Sequence, residues 1–592
     1  MDKLSLTSPN CIRGHLAAHL NPLKMSYWHF MWSIYWVWLL FIPILIVFWQ
    51  KPLFANRLFA SIEVFFSRIA AHKRLAILVA ILFPILFRVS LIPFFPIRPP
   101  GVVDEFSYLL AGDTFAHRRL TNPPHPMAAY LDTNAVLQHP THASKYPPAQ
   151  GAALAVGQLL GHPWFGVLLS MGIMFGALVW MLQGWLPPKW AILGAALPFL
   201  KFGTFSYWMN SYWGGAVAAI GGALVMGALP RIVRKQKPLD ALIMGIGICI
   251  LANSRPYEGL LLCAPVGLAL VWWLCSRRSP SWRITLPRVV LPVTVMVLLT
   301  LAFSGYYNWR VTGDPFLFPH ALHERVYENL SSFIWEAPKP PMHYPNLQSG
   351  TVFPSQSYNA YRHTWADFQR ITLKKLNDYY AFFVGPALLI PFLTIPLIFT
   401  TRRMRLLFFQ ITLFCLGSLL VIWSQPHYAA PVLGTFVILL TQMFRYLRRW
   451  RYLGSPVGIG LTRAIILYSV AALPMFSIQI AKDPHSFAGS GWGHSNWQRA
   501  RIVKELSQMP GPQLVIVRYV QTHHDVGFEW DYNDADIDHA KVVWVREVPG
   551  QNLQPLFDYF KSRNVWLVQA DLSPPELERY TPLPSDSAAP PA

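Results

Sequence analysis

Two adjacent carboxylates, Asp104 and Glu105, stand just beyond an apolar run, in the stretch Val103-Asp104-Glu105-Phe106-Ser107-Tyr108-Leu109-Leu110. Such a pair can work as an acid/base site, hold a metal, or cap a helix whose first amides lack partners. Taken alone, the pair reads first as a cap. A general base also needs an acceptor hydroxyl to deprotonate and cations to hold a charged leaving group. Candidates for the cations occur at four other places in the chain.

Asn253-Ser254-Arg255-Pro256-Tyr257-Glu258 is a tight turn between two apolar runs, where Arg255 and Glu258 are costly unless paired or functional. Two readings stay open: a mutual ion pair that fixes the turn, or a guanidinium offered to a lipid phosphate. Arg88 lies near the end of the run that leads to Asp104, placed either to snorkel to headgroups or to bind phosphate. Lys145-Tyr146-Pro147-Pro148 puts a cation and a phenol ahead of a proline-started helix. Gln425-Pro426-His427-Tyr428, followed by Pro431, opens a late apolar run, with His427 as a phosphate donor or an interfacial residue. Tyr207, Trp208, Tyr212 and Trp213 crowd one turn with Asn210, as an aromatic belt would. The run from His523-His524-Asp525 to Asp538 is rich in ligand types. Tested as a calcium loop from Asp534, it offers His539 where glycine is required and Val545 where glutamate must close the site. A solvated acidic loop is the better reading. There is no P-loop and no Gly-x-Gly-x-x-Gly, so nucleotide chemistry is not expected. No cofactor is expected, and a divalent metal at Asp104 and Glu105 has no supporting ligand spacing.

The elements that must position these residues are membrane helices. Of 592 residues, 53% are hydrophobic and only 13% charged, against about 25% charged in soluble domains. Twelve apolar segments are expected, at about 27–49, 74–96, 163–185, 190–206, 212–233, 239–254, 257–275, 287–308, 380–400, 405–424, 428–447 and 461–481. The net charge of +21 is carried largely by basic loops between these runs. That is the positive-inside pattern, which argues against nucleic acid as a partner. The basic loops alone place 97–162, the 207–212 turn, 253–258, 309–379, 424–428 and everything past 482 on the opposite, outer face. Five cysteines without a CxxC pair imply neither a disulfide framework nor a zinc site. The first run is too long for a signal-peptide core and is expected to be retained.

Pro147–Leu160 is only half a span and reads as a second helix on the outer surface, like the amphipathic helix after Asp104, whose apolar stripe is Phe106, Leu109 and Leu110. Past 482 the short β-branched runs Gln513–Tyr519, Lys541–Arg546 and Asn564–Gln569 alternate with helical patterns near 496–507 and 551–562. The expected fold is an all-α polytopic membrane protein of about 12 transmembrane helices and two outer surface helices, with a small C-terminal α/β extracytoplasmic domain. Its divisions are a polar segment at 1–26, a transmembrane domain at 27–481, the α/β domain at 482–580 and a Pro/Ser/Ala-rich tail at 581–592, expected to be disordered.

The order of these pieces across most of 74–447 resembles the GT-C superfamily of membrane glycosyltransferases. Protein O-mannosyltransferases, the aminoarabinose transferases acting on lipid A and the RgtA/B/C/D-like family belong to it. The resemblance rests on the early carboxylate pair, the two outer helices, the Lys145-Tyr146-Pro147-Pro148 entry and His427-Tyr428-x-x-Pro431. It implies that Asp104 is the base, that Glu105 supports it or positions the acceptor, and that Lys145, Arg255 and His427 face the donor phosphate. Arg88, Tyr146, Glu258 and Tyr428 complete the expected substrate and lipid-phosphate set. The expected reaction is inverting transfer of a sugar from a polyprenyl-phosphate donor to an envelope glycan, lipid or protein hydroxyl. The expected setting is the inner membrane, with the site facing the periplasm and membrane lipids as further partners. Two alternatives are an O-antigen polymerase or ligase using a polyprenyl-diphosphate donor, and a lipid-linked-sugar transporter. The segment at 27–49 appears additional to the pattern, and the region past 482 matches none of these transferases.

Overall fold

Hydrocarbon offers no partner for backbone N–H and C=O groups, so an apolar chain of this kind closes its own hydrogen bonds as helices. The computed structural model describes residues 39–327, 332–336, 364–482, 495–520, 529–548 and 550–581. The polar segment 1–26, the first part of the 27–49 run, His523-His524-Asp525 and nearly all of the 581–592 tail lie outside the described residues.

In chain order the early helices are α1 (Leu39–Gln50), α2 (Asn56–Ala71), α3 (Lys73–Ser90), α4 (Val103–Ala116), α5 (Pro148–Leu159), α6 (Pro163–Trp185) and α7 (Pro188–Pro198). A short α8 (Tyr207–Asn210) precedes α9 (Ala216–Lys235), α10 (Pro238–Ala252), α11 (Pro256–Cys275) and α12 (Trp282–Thr312). Then come α13 (Pro319–Tyr327), α14 (Trp365–Val384), α15 (Ala387–Phe399), α16 (Arg402–Leu419), α17 (Pro426–Leu447) and α18 (Val457–Lys482). Prolines start α5, α6, α10 and α11, where a missing N–H costs nothing.

Six of these helices, α6, α9, α11, α12, α17 and α18, are long and apolar enough to cross a membrane. The bent pairs α2–α3 and α14–α15 raise that to eight if each is one span. The chain is therefore built as a multi-pass membrane protein, but twelve full spans are not present among the described residues. The 190–206 run breaks into the 11-residue α7, a π turn at Phe199–Gly203 and α8. The 15-residue α10 is also short, reaching only about 22 Å of a core about 30 Å thick. The stretch expected to be a basic loop, 51–74, instead holds α2, set at 111° to α3. The expected outer loop 309–379 contributes α13 and most of α14. At the 99° bend between α14 and α15, Gly385 takes φ +64, a conformation that favours glycine.

The most apolar windows of α6, α9 and α17 are 72%, 72% and 78% buried, against 17% for α12. These three form the centre, and α12 lies at the edge. Gly222 on α9 makes the closest of these contacts possible, since a Cβ there would fall 1.9 Å from the Pro431 carbonyl oxygen in the first turns of α17.

Beyond the bundle, α19 (Trp497–Gln508), β3 (Gln513–Arg518), β4 (Val542–Arg546), α20 (Gln554–Tyr559), β5 (Asn564–Gln569) and β6 (Glu576–Arg579) form an α/β unit. β1 (Val136–Leu137) and β2 (Ala143–Ser144) belong to a separate hairpin in the outer loop. The four-stranded sheet has the order β4-β3-β5-β6, parallel except for β6. Leu514 and Ile516 face one apolar cluster while Val515 and Val517 face the other, as strand alternation requires. The three expected β-branched runs coincide with β3, β4 and β5. The unit does not close its core alone: Leu131 of the outer loop is buried in it.

Gly222→Ala is expected to destabilise the bundle by about 1–3 kcal/mol, because the colliding atom is backbone and has no rotamer to yield. A lowered thermal unfolding midpoint in lipid nanodiscs would show it, and an unchanged midpoint would contradict this packing.

Candidate functional site

The segment before α4 is held from several sides. Arg88, fully buried at the end of α3, donates through Nε to Asn210 Oδ1 at 2.9 Å and through Nη1 to the Phe95 carbonyl at 2.9 Å. Its Nη2 donates to the Pro96 carbonyl at 3.3 Å, and the guanidinium lies 4.9 Å from the Trp164 ring. Arg88 is therefore turned into the protein rather than snorkelling outward, and its three hydrogen bonds fix the exit of α3. Tyr212 Oη donates to the Arg98 carbonyl at 3.1 Å, and the Asn496 amide donates to the Pro100 carbonyl at 3.3 Å.

The two carboxylates of the pair have different surroundings. Glu105 is buried, and its Oε2 accepts from the amides of Gly101 at 2.8 Å and Val102 at 3.2 Å. Its Oε1 accepts from the Tyr212 amide at 3.0 Å. Glu105 is a cap that also ties α4 to the turn after α8. Asp104 is half-buried in the first turn of α4 and accepts a hydrogen bond at Oδ1 from Tyr146 Oη. Burial and the Asp104 charge push the Tyr146 phenol well above its ordinary range, so it stays protonated and donates.

Tyr146 reaches Asp104 because the hairpin is fastened to α4. Ser107 Oγ donates to the Ala135 carbonyl at 2.6 Å and shares a 2.7 Å hydrogen bond with Ser144 Oγ, which accepts from the Tyr146 amide at 3.1 Å. The rings of Tyr108 and Tyr146 stack at 4.4 Å. Tyr108 lies one turn after Asp104 and was not among the residues expected at the site, although its i+4 spacing from Asp104 was there to be used. Lys145 is buried with its ammonium 5.5 Å from the Tyr146 ring.

The start of α5 gathers the remaining parts. The Ala149 amide donates to the Asn253 carbonyl at 2.9 Å, and Gln150 Nε2 donates to the Tyr212 carbonyl at 2.8 Å. Arg255, at the head of α11, lies 4.1 Å over the Tyr428 ring. Among the described residues no ion pair joins it to Glu258. Its charge is felt by Tyr108, Tyr428 and Glu258 together. Glu258 is buried and, with Tyr257, Tyr379, Trp423 and Tyr428, lines a small cavity beside the guanidinium.

His427 is buried. Its amide donates to Tyr207 Oη at 2.9 Å and its Nδ1 lies 3.0 Å from the same oxygen. Tyr207, Trp208, Tyr212 and Trp213 are likewise buried. They are not a surface belt but the packing behind the site, because the turn folds inward against α17. The apolar stripe of the first outer helix also divides: Leu109 meets the bundle, while Phe106 and Leu110 face the α/β unit. That helix is enclosed between two layers rather than laid on a lipid surface. Of the expected set, Asp104, Lys145, Tyr146, Arg255, Glu258, His427 and Tyr428 form one neighbourhood, whereas Arg88 and Glu105 build its frame. Among the described residues no three His, Cys, Asp or Glu side chains converge as metal ligands.

No protein-family model matches the chain, and no curated protein matches it in sequence. Among solved structures it is similar to ArnT from Cupriavidus metallidurans bound to undecaprenyl phosphate, at 13% identity and a TM-score of 0.47, over 83% of this chain and 92% of that one. It is also similar to the Archaeoglobus fulgidus oligosaccharyltransferase tethered with an acceptor peptide, at 11% identity and a TM-score of 0.37, over 75% of this chain and 61% of that one. The archaeal oligosaccharyltransferase AglB, in complex with an inhibitory peptide and a dolichol-phosphate, aligns at 12% identity and a TM-score of 0.30. That alignment covers 74% of this chain and 62% of AglB. Identity at this level transfers no residue roles.

Full burial pushes the Glu105 carboxyl up from 4.5 to about 7, against the pull of its amide bonds and Arg98. A raised carboxyl contributes stability that is complete below 4.5 and is lost as pH climbs through about 7. Glu105→Gln should remove that component of the pH dependence. It should also cost about 1–3 kcal/mol, because an amide can accept on only one of the two sides. Thermal unfolding of both proteins between pH 4 and 8 measures both effects; parallel profiles would contradict the titration.

Proposed function

We propose that the chain is a GT-C-type membrane glycosyltransferase that moves a sugar from a polyprenyl-phosphate donor to an acceptor hydroxyl. The observation that carries this reading is the half-buried Asp104 carboxylate, oriented by Tyr146 on a helix N-terminus, in one polar neighbourhood with Arg255, Lys145 and His427. Asp104 takes the proton of the acceptor hydroxyl as its oxygen attacks the anomeric carbon from the face opposite the lipid phosphate. The bond from that carbon to the phosphate oxygen breaks, its electron pair stays with the phosphate, and the anomeric configuration inverts. A phosphate leaves as a stable anion, so cations suffice and no general acid is needed.

Arg255 and Lys145 supply those cations in this reading. Tyr207 Oη accepts from the His427 amide and lies 3.0 Å from Nδ1, which leaves Nε2 as the ring nitrogen offered to a phosphate oxygen in this reading. The acceptor belongs to the envelope, whether glycan, lipid or protein. The site faces the periplasm from the inner membrane, opposite the basic loops.

Asp104→Asn is expected to lower transfer about 10²–10⁴-fold, the range of a lost general base. It should bind a polyprenyl-phosphate sugar as wild type does, while Arg255→Ala should weaken that binding. Purified protein in nanodiscs, a labelled donor and an envelope extract suffice for the assay. Wild-type transfer by Asp104→Asn would reject the base. It would favour instead a reaction run by outer-face arginines on a polyprenyl diphosphate.

A further inference from the structure

The helix that carries Asp104 is gripped along its length by the α/β unit. Phe106, two residues after Asp104, stacks on Tyr532 with ring centres 4.5 Å apart and planes within 5°. Val103 and Leu110 share that apolar cluster with Tyr532 and Ala535. The Arg499 guanidinium lies 4.8 Å over the other partner of the stack, Phe106, and donates to the carbonyls of Trp530 and Tyr532, both at 2.9 Å. Tyr532 Oη donates to the Asn134 carbonyl at 3.1 Å, which fixes the stack to the hairpin as well. At the far end of α4 the Ala535 amide donates to Asp113 Oδ2 at 2.8 Å. Ahead of α4 the start of α19 holds Pro100. Two points on one short helix and one just ahead of it, together with Leu131 in the sheet's own core, make the unit part of the site's frame.

We infer that Tyr532, held by Arg499, is a positioning residue for Asp104, and that the α/β unit serves transfer by fixing the angle and depth of α4. The inference rests on the reading of Asp104 as the base. The bundle packs on the Tyr108 and Leu109 face of α4 and α5 on its Ala111 and Gly112 face, whereas Phe106 and Leu110 are packed by Tyr532 and Ala535. Loss of the stack therefore leaves that face open and lets the first turn rock about the Glu105 cap. A carboxylate displaced by about 1 Å from an acceptor oxygen loses on the order of 10²-fold in rate while the donor, held by α5, α11 and α17, binds as before.

The experiment uses the full chain in nanodiscs with a labelled polyprenyl-phosphate sugar, and follows kcat, donor KM and donor binding. Tyr532→Ala and Arg499→Ala should each lower kcat about 10–100-fold with donor KM and donor binding unchanged. Tyr532→Phe keeps the stack and should restore most of kcat. If Tyr532→Ala no longer binds donor, the smaller change Arg499→Lys, which loses one of the two carbonyl bonds, takes its place and should still lower kcat alone. Wild-type kcat in Tyr532→Ala and Arg499→Ala, with Asp104→Asn inactive, would overturn the positioning role and leave the base assignment standing. A loss in which donor KM rises in step with falling kcat, unrescued by Tyr532→Phe, would also overturn it. Wild-type transfer by Asp104→Asn would instead remove the base, and the inference with it.

Discussion

One buried carboxylate organises the residues around the candidate site. Glu105 accepts three backbone hydrogen bonds, two from the segment entering α4 and one from the turn after α8. A carboxylate so deep is costly unless each oxygen is satisfied, so the geometry admits little slack. With Glu105 fixed, the next residue back, Asp104, has a defined place and direction. The two neighbours differ in surroundings: Glu105 is buried against three backbone amides, whereas Asp104 is half-buried and accepts from the Tyr146 hydroxyl.

The rest of the site is arranged by short polar bridges between outer ends of helices. Ser107 and Ser144 carry the hairpin to α4, Ala149 carries α5 to the turn before α11, and Gln150 carries α5 to the turn that Glu105 also holds. The Ala149 and Gln150 bridges end on backbone carbonyls, and the serine pair reaches the Ala135 carbonyl and the Tyr146 amide, all groups outside regular helix hydrogen bonding. The same economy explains the buried aromatic turn. The Tyr207 hydroxyl accepts from the His427 amide and meets its ring, while Tyr212 gives its hydroxyl to the Arg98 carbonyl, its amide to Glu105 and its carbonyl to Gln150. The rings fill the space behind polar contacts that would otherwise be exposed to lipid or left unpaired.

The α/β unit changes what α4 is. Read as a free outer helix, its apolar residues would seek lipid; in the folded chain they are divided between the bundle and the stack on Tyr532. Neither the unit nor the outer loop closes its core alone, because Leu131 is shared between them. Two distant stretches of chain thus share one core.

Composition and periodicity were enough to establish a multi-pass membrane protein, the places of α4 and α5, and strands at β3, β4 and β5. All of these follow from local apolar spacing, prolines at helix starts and β-branched runs. Local rules could not fix the number of spans, since apolarity does not distinguish a full crossing from a helix as short as α7 or α10. The pairing of Asp104 with Tyr146, the different surroundings of Asp104 and Glu105, and the inward contacts of Arg88 were decided by tertiary contacts. A carboxylate, a phenol or a guanidinium carries the same letter whether it caps, braces or reacts. Which of these it does depends on partners tens or hundreds of residues away, and only folding brings them within hydrogen-bonding reach.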